Sequence, residues 1–348
     1  MFRFMGYRKG KPMSNAVDTQ KNPPTQARPA PERSDNRRLA AIVVALTGII
    51  TLMLLAFLTP SMNSGPKDLP LAVSGPAPAV QKIEGMLEQK QPGAFDITTY
   101  DNPDEVKTKV LEREAIGGIA LGKDGTVVTI ASGAGSTFKQ IMTGLADGMK
   151  QQGQKVSVED VAPLSEGDPN GIGLNTLALP LAFGGMASAA LLTFGLKGRR
   201  WGRVVGAAVF SILAGLALGA IMQFGYDLFD GNYLELAGIL ALGIAGTSMF
   251  VLGMESLLGG AGLGIGAIIT LFVSNPLSGI ATGWQWLPSP WGWFGQHLPI
   301  GAAGTAVRSV AYFDGHGITH AVVVLCCWVA LGVGMVALAS WRKRRVAQ

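Results

Sequence analysis

The sequence predicts an α-helical polytopic membrane protein: six transmembrane helices with an extracytoplasmic α/β domain inserted after the first. Three observations carry this. The 52 residues between Glu255 and Arg308 contain no Asp, Glu, Lys or Arg, more uncharged chain than a water-soluble domain normally holds. Six apolar windows lie between charges, each near the ~20 residues a helix needs to cross the hydrocarbon core. The segments joining those windows alternate between basic and acidic, as membrane orientation demands. The 348-residue chain is 48% hydrophobic and 15% charged, with mean hydropathy +0.34.

Residues 1–38 hold nine Lys/Arg against three acids and are rich in Pro, Asn and Gln. They offer too little apolar surface to fold, and are expected to form a disordered cytoplasmic tail. Arg33, Arg37 and Arg38 are expected in a short interfacial helix. The window 39–59 exceeds the ~7–15 residues of a cleaved signal's apolar core, so it reads as an uncleaved anchor and the first span.

Residues 60–172 hold 10 Lys/Arg and 15 Asp/Glu and read as the outer α/β module. Strands are expected at 68–74, 95–100, 115–122, 126–132 and 155–162. Helices are expected at 77–90, 101–114 and 136–151. Val80, Ile83 and Leu87 recur at helical spacing, as do Phe138, Ile141, Met142 and Leu145. Asp101 is the expected N-cap of the second helix, with Pro103 in its first turn. A Pro/Gly/Asn linker, 163–171, ends the module. The module contains no His and no Cys, so nothing in it points to catalysis.

The remaining spans are expected at 173–196, 204–226, 235–254, 257–274 and 319–341. Residues 173–341 are therefore a five-helix bundle, with 275–318 an external Trp/Pro/Gly loop and 342–348 a basic cytoplasmic tail. The loop 197–203 and the C-terminal tail each hold four basic residues and no acid, 226–235 is acidic only, and 275–318 has one cation, Arg308. With both termini inside a plasma (inner) membrane, each loop falls on the side its charge favours. The pI near 9.2 reports this asymmetry rather than nucleic-acid binding.

Gly215–Gly219, Gly260–Gly264 and Gly262–Gly266 have the four-residue spacing that lets helices approach closely in lipid. No span carries a charge in its interior. That argues against a proton- or sodium-coupled carrier and suits an apolar or amphipathic cargo. No internal repeat marks a carrier of duplicated halves. No GxxxxGK[ST] loop binds nucleotide, no GxSxG elbow marks a hydrolase, and no cofactor is implied. His316 and His320, four apart beside Asp314, could present two imidazoles on one helix face. No further acidic or Cys ligand lies near them in sequence, so no metal is expected. His297 has no evident partner. Cys326 and Cys327 are neighbours on one helix and point apart, so a mutual disulfide is not expected. Trp284, Trp286, Trp291 and Trp293, broken by Pro288 and Pro290, read as an aromatic belt at headgroup depth, compatible with a lid over an exit path.

This arrangement resembles the type-2 ABC transporter permeases, most closely the branch containing the phage-infection protein. DLPLAVSG and, after a helix, FDITTYDNPDEVKTKVLEREAIGGIAL resemble that family's external start. Residues 275–315 resemble the segment before its last span: Asn275, Pro276, Ser278 and Gly279 match a PLSG turn, Pro299 and Gly301 a second turn, and Arg308 a lone arginine ahead of the final helix. The resemblance covers roughly 39–341. The 197–203 loop is shorter than a typical ATPase-coupling segment, and the external module is smaller than in the large members. The resemblance implies a permease working as a homodimer or permease heterodimer, exporting cargo with an ATPase supplied in trans that docks at Lys197, Arg199, Arg200 and Arg203. The alternatives are a non-transporting scaffold or receptor using the outer module, and a membrane enzyme or metal protein using Asp314, His316 and His320.

Overall fold

The structure, a computed structural model, describes residues 32–346. The disorder expected for 1–31 and the end of the basic tail, 347–348, lie outside those residues.

The first helix, α1 (Glu32–Asn63), is longer than the expected span. Residues 32–38 continue it rather than forming a separate interfacial piece or belonging to a disordered tail. Leu39, Val44, Ile50 and Leu54 are all exposed, so its surface is apolar on every side, as in a helix solvated by lipid.

Residues 69–160 form a five-stranded mixed sheet: β1 (Leu69–Ser74), β2 (Phe95–Tyr100), β3 (Gly117–Gly122), β4 (Gly125–Ile130) and β5 (Val156–Asp160), in the order β2-β1-β3-β4-β5. β1 pairs in parallel with β2 and β3, β4 pairs in parallel with β5, and β3–β4 is an antiparallel hairpin. Each parallel pair needs a crossover; α2 (Ala77–Lys90), α3 (Pro103–Leu111) and α4 (Ser136–Gln151) supply them. The expected stripe of α2 is buried, Val80, Ile83 and Leu87; in α4 only Phe138 and Met142 of the expected four are buried, Ile141 and Leu145 are half-buried, and Ala146 and Met149 complete the face instead. The N-cap of α3 is Asn102, not Asp101. The Asn102 side chain accepts from the Glu105 N–H at 2.9 Å, while Glu105 reaches back to the Asp101 N–H. The Pro103 ring at N1 fixes that one-residue shift.

The helical part contains α5 (Ile172–Thr176), α6 (Ala178–Gly195), α7 (Arg200–Ala220, closing in a π turn, Ile221–Gly225), α8 (Tyr233–Leu258), α9 (Gly260–Ile268, continuing as a π turn, Ile269–Ser274), α10 (Trp291–Gln296), α11 (Pro299–Tyr312) and α12 (Thr319–Val346). Among the described residues, five stretches are long and apolar enough to cross a membrane: Asp35–Asn63, Ile172–Gly195, Arg200–Gly225, Tyr233–Leu258 and Thr319–Arg345. α8 is the centre of the bundle, with 72% of its apolar window buried. α6, α7, α9, α11 and α12 all pack on it.

The span expected at 257–274 is shorter than predicted. Leu257 and Leu258 finish α8, and Gly259 turns at φ +65°. Gly260–Ser274 is left as a 15-residue helix, about 22 Å long against a core of ~30 Å. The segment 275–318 is not one irregular loop: it contains α10 and α11. α11 is buried along most of its length, with Ala303 against Gly243 of α8. The basic tail also remains helical as far as Val346.

Glycines set the close approaches. A Cβ on Gly215 would overlap the Ala237 carbonyl of α8, and one on Gly219 would press on Tyr233 and Ala237. Gly260 and Gly264 have nothing within 4 Å, so that predicted pair makes no close approach among the described residues of this chain. Gly262, against Met254, and Gly266, against Val251, make the α9–α8 contact instead.

Candidate functional site

Three places concentrate polar chemistry. The first is the seam between the α/β unit and α11. Arg113 follows α3 at φ +64°, a conformation that costs an L-residue about 1–3 kcal/mol. It aims the side chain at α11, where Nη1 donates to the Thr305 carbonyl at 3.0 Å and to the Ser309 hydroxyl. The guanidinium also lies 5.2 Å from the Phe313 ring. Burial, and secondarily the nearby Arg308, push the Arg113 guanidinium down to about 9, so it stays charged at neutral pH. Arg308, expected ahead of the last helix, is buried inside α11 and donates to the Ile280 carbonyl at 2.7 Å. Gly133 against Tyr312, Gly135 against Thr282 and Phe138 against Trp286 complete the seam.

The second place is a cleft of about 830 Å³ between the end of α1, the start of β1 and residues 284–293. Lys67, Asp68, Arg113, Trp284 and Trp293 are among its walls. An apolar slot of about 490 Å³ shares Asn63 and Pro288 with it and is lined by Leu55, Phe272, Val273, Leu277 and Trp291. A cleft that carries two cations and two acids, Lys67, Arg113, Asp68 and Glu114, therefore lies beside an apolar slot.

The third is a cavity of about 740 Å³ at the opposite end of α8, walled by Arg199, Arg200, Arg203, Glu255, Lys343 and Arg344. Arg203 is buried and its Nη1 pairs with the Glu255 carboxylate at 2.7 Å, while its Nε donates to the Leu196 carbonyl. Arg200 donates to the Ala339 carbonyl at 3.1 Å. Of the four cations expected to dock an ATPase, Lys197 and Arg199 are exposed. Arg203 is buried and paired with Glu255, as a charge enclosed at an apolar helix end requires, while Arg200 is half-buried on the Ala339 carbonyl.

The remaining expected positions separate. Asn275, Pro276, Ser278 and Gly279 do form a turn: the Ser278 hydroxyl donates to the Asn275 carbonyl at 2.7 Å, and Gly279 sits at φ +62°. Pro299 and Gly301 do not; they begin α11. His316 and His320 are not brought together with an acidic ligand. His320 Nε2 instead meets His297 Nε2 at 3.4 Å, and no cluster of three potential ligands exists among the described residues. Cys326 and Cys327 are both free. Sequence reasoning missed Arg113 and Glu255. Glu255 carried a signal, as the last charge before the longest uncharged run. Arg113, within an acidic stretch, carried none. The chain matches no family model, no curated protein and no solved structure.

Proposed function

We propose that this chain is the membrane-spanning subunit of an exporter of apolar or amphipathic molecules, driven by an ATPase supplied in trans. One observation supports it most. The cleft, with Lys67, Asp68, Arg113 and Glu114 in its walls, lies beside an apolar slot next to α1 and Phe272, and the pair offers the two-part chemistry a headgroup and its tail require. The resemblance to type-2 ABC permeases adds the ATPase. In this reading Lys197 and Arg199 are its exposed contacts, two copies of the bundle or a related permease complete the pathway, and the membrane is the plasma (inner) membrane.

The same reading has six crossings with both termini cytoplasmic and the α/β unit outside. Gly260–Ser274 starts beside the Arg203–Glu255 pair, and residues 275–286 carry the chain on to the α/β unit. A short helix plus irregular chain thus bridges the two ends of α8. Reporter fusions after Gly122 and after Gly315 are both expected outside; cytosolic signals at both would refute the arrangement.

Purification from the native membrane in mild detergent tests the exporter. A nucleotide-binding subunit is expected to co-purify, and to be lost in a Lys197→Glu/Arg199→Glu variant. Recovery with no ATPase, together with unchanged efflux after deletion of the gene, would sink the proposal. A second reading, a receptor, is favoured by a groove of about 360 Å³ between α2 and α4 lined by Met86, Leu145 and Met149. It predicts that exchanging the α/β unit changes partner binding while the Lys197/Arg199 variant changes nothing.

A further inference from the structure

The cavity at the Arg203–Glu255 end holds charge that the protein itself leaves unmatched. Five cations line it, Arg199, Arg200 and Arg203 from the start of α7 and Lys343 and Arg344 from the end of α12, against one acid, Glu255. Arg203 already occupies that acid, and Arg200 is spent on a carbonyl. Arg199, Lys343 and Arg344 have no carboxylate within ion-pair distance among the described residues. Two helices from distant parts of the sequence therefore converge three free, exposed cations on one hollow, a concentration of positive charge that attracts an anion.

We propose that this cavity is a binding site for a phosphate group, as a phosphodiester headgroup or as free phosphate. Guanidinium groups pair with phosphate oxygens through two parallel N–H donors. A volume near 740 Å³ exceeds what a bare phosphate fills and falls within the range of small-ligand sites. The surroundings suit a lipid as the source. Trp201 and Trp341 flank the cavity in sequence and are about half exposed, at 47% and 48%, the depth marker of a membrane interface. Val205 and Leu338, one turn further into α7 and α12, are also exposed, a place for acyl chains below the headgroup. Basic pockets between helix ends on the cytoplasmic side recognise anionic headgroups by this chemistry. The inference does not depend on the exporter reading, because it requires neither cargo nor ATPase.

The test uses the full chain purified in a neutral detergent, with phosphatidylglycerol, phosphatidylcholine and sodium phosphate as separate probes and bound lipid counted by native mass spectrometry. The site predicts retained phosphatidylglycerol in preference to phosphatidylcholine. Arg199→Gln/Lys343→Gln/Arg344→Gln is expected to weaken that binding about 10- to 100-fold, while the control Lys197→Gln/Arg342→Gln, outside the cavity, leaves it unchanged. Should the triple variant fail to fold, Lys343→Gln/Arg344→Gln on the exposed end of α12 carries the same test with a smaller loss. Displacement by millimolar sodium phosphate, with no lipid preference, would keep the phosphate site and make free phosphate its source. Unchanged phosphatidylglycerol binding in the cavity variants, or an equal loss in the control, would overturn the proposal.

Discussion

The Arg203–Glu255 pair makes the sharpest quantitative prediction. Both side chains are nearly enclosed, with 9% and 14% of their surface accessible, and the charges meet at 2.7 Å. Glu255→Gln leaves the guanidinium in place with its counter-charge removed. Breaking a buried pair from one side costs about 3–5 kcal/mol, because the surviving charge stays buried and unmatched. Arg203→Met strands the carboxylate and should cost a similar amount. Combining them in Arg203→Met/Glu255→Gln removes both buried charges together, and is expected to cost far less than the sum of the two single variants. The double-mutant cycle should therefore return a coupling of roughly 3 kcal/mol or more. At ~2–4 °C per kcal/mol for chains of 150–250 residues, and somewhat less for a longer one, each single variant should melt roughly 5–10 °C lower.

The assay is thermal unfolding of the detergent-solubilised protein followed by tryptophan fluorescence and size-exclusion chromatography. It is run at low and at 0.5 M salt, since an enclosed pair is screened far less than an exposed one. A Glu255→Gln variant melting within a degree of the parent, with no coupling in the cycle, would refute the reasoning. Arg203 would then be a free surface charge, available for docking as the sequence alone suggests.

Three further perturbations have defined outcomes. Gly215→Leu should cost several kcal/mol or prevent folding, because the side chain has only α8 backbone to enter, whereas Gly264→Leu, facing open space, should be close to neutral; equal melting temperatures would refute the assigned α7–α8 contact. Arg113 supplies a pH test: with its folded value lowered to about 9 from 12.5, the folded state binds fewer protons than the unfolded one between those values. The parent should therefore gain stability relative to Arg113→Met as pH rises through about 9, with a constant difference below pH 8, as read by melting curves; a difference that shrinks with rising pH would contradict the buried guanidinium. Gly243→Val should push α11 off α8, since even a Cβ at Gly243 would come within 2.7 Å of Ala303 Cβ, and deuterium uptake should rise in 112–135 and 299–312 but not in 200–206; an unchanged 112–135 would mean that α11 does not anchor the α/β unit.

The α/β unit was legible because its elements follow local rules. β2 and α4 fall at their expected limits, since strand alternation and a four-residue apolar stripe are short-range signals. Where the sequence misled, the deciding force was non-local. Nothing near Gly260 distinguishes it from Gly262, yet the rotation of α9 puts only the second against Met254. The run from 275 to 318 looks like an exposed loop because it is rich in Trp, Pro and Gly. Its second half, PIGAAGTAVRSVAY, is small and apolar because it is buried. Arg199, Arg200 and Arg203 form one basic run in sequence, but helical geometry sends Arg203 inward to an acid 52 positions away and leaves Arg199 outside.

The same geometry explains why the longest uncharged stretch is not simply apolar. Non-helical backbone at membrane depth is tolerated only where protein satisfies its polar groups, and residues 275–298 between two helices expose many. Polar side chains confined to this stretch meet that need. Gln296 Nε2 donates to the Ser278 carbonyl at 3.0 Å, the Ser274 hydroxyl accepts from the Ile300 N–H at 3.1 Å, and Thr305 donates to the Gln296 amide oxygen. Arg308 closes the set on the Ile280 carbonyl. Each donor is neutral except Arg308, and that one charge sits where the segment turns back toward the α/β unit and Arg113. The absence of Asp, Glu and Lys from 256–307 and the presence of Asn, Gln, Ser and Thr are thus one constraint seen twice: the segment hydrogen-bonds its own irregular backbone with neutral side chains, and only Arg308, buried on a carbonyl with no acid paired to it among the described residues, departs from that rule.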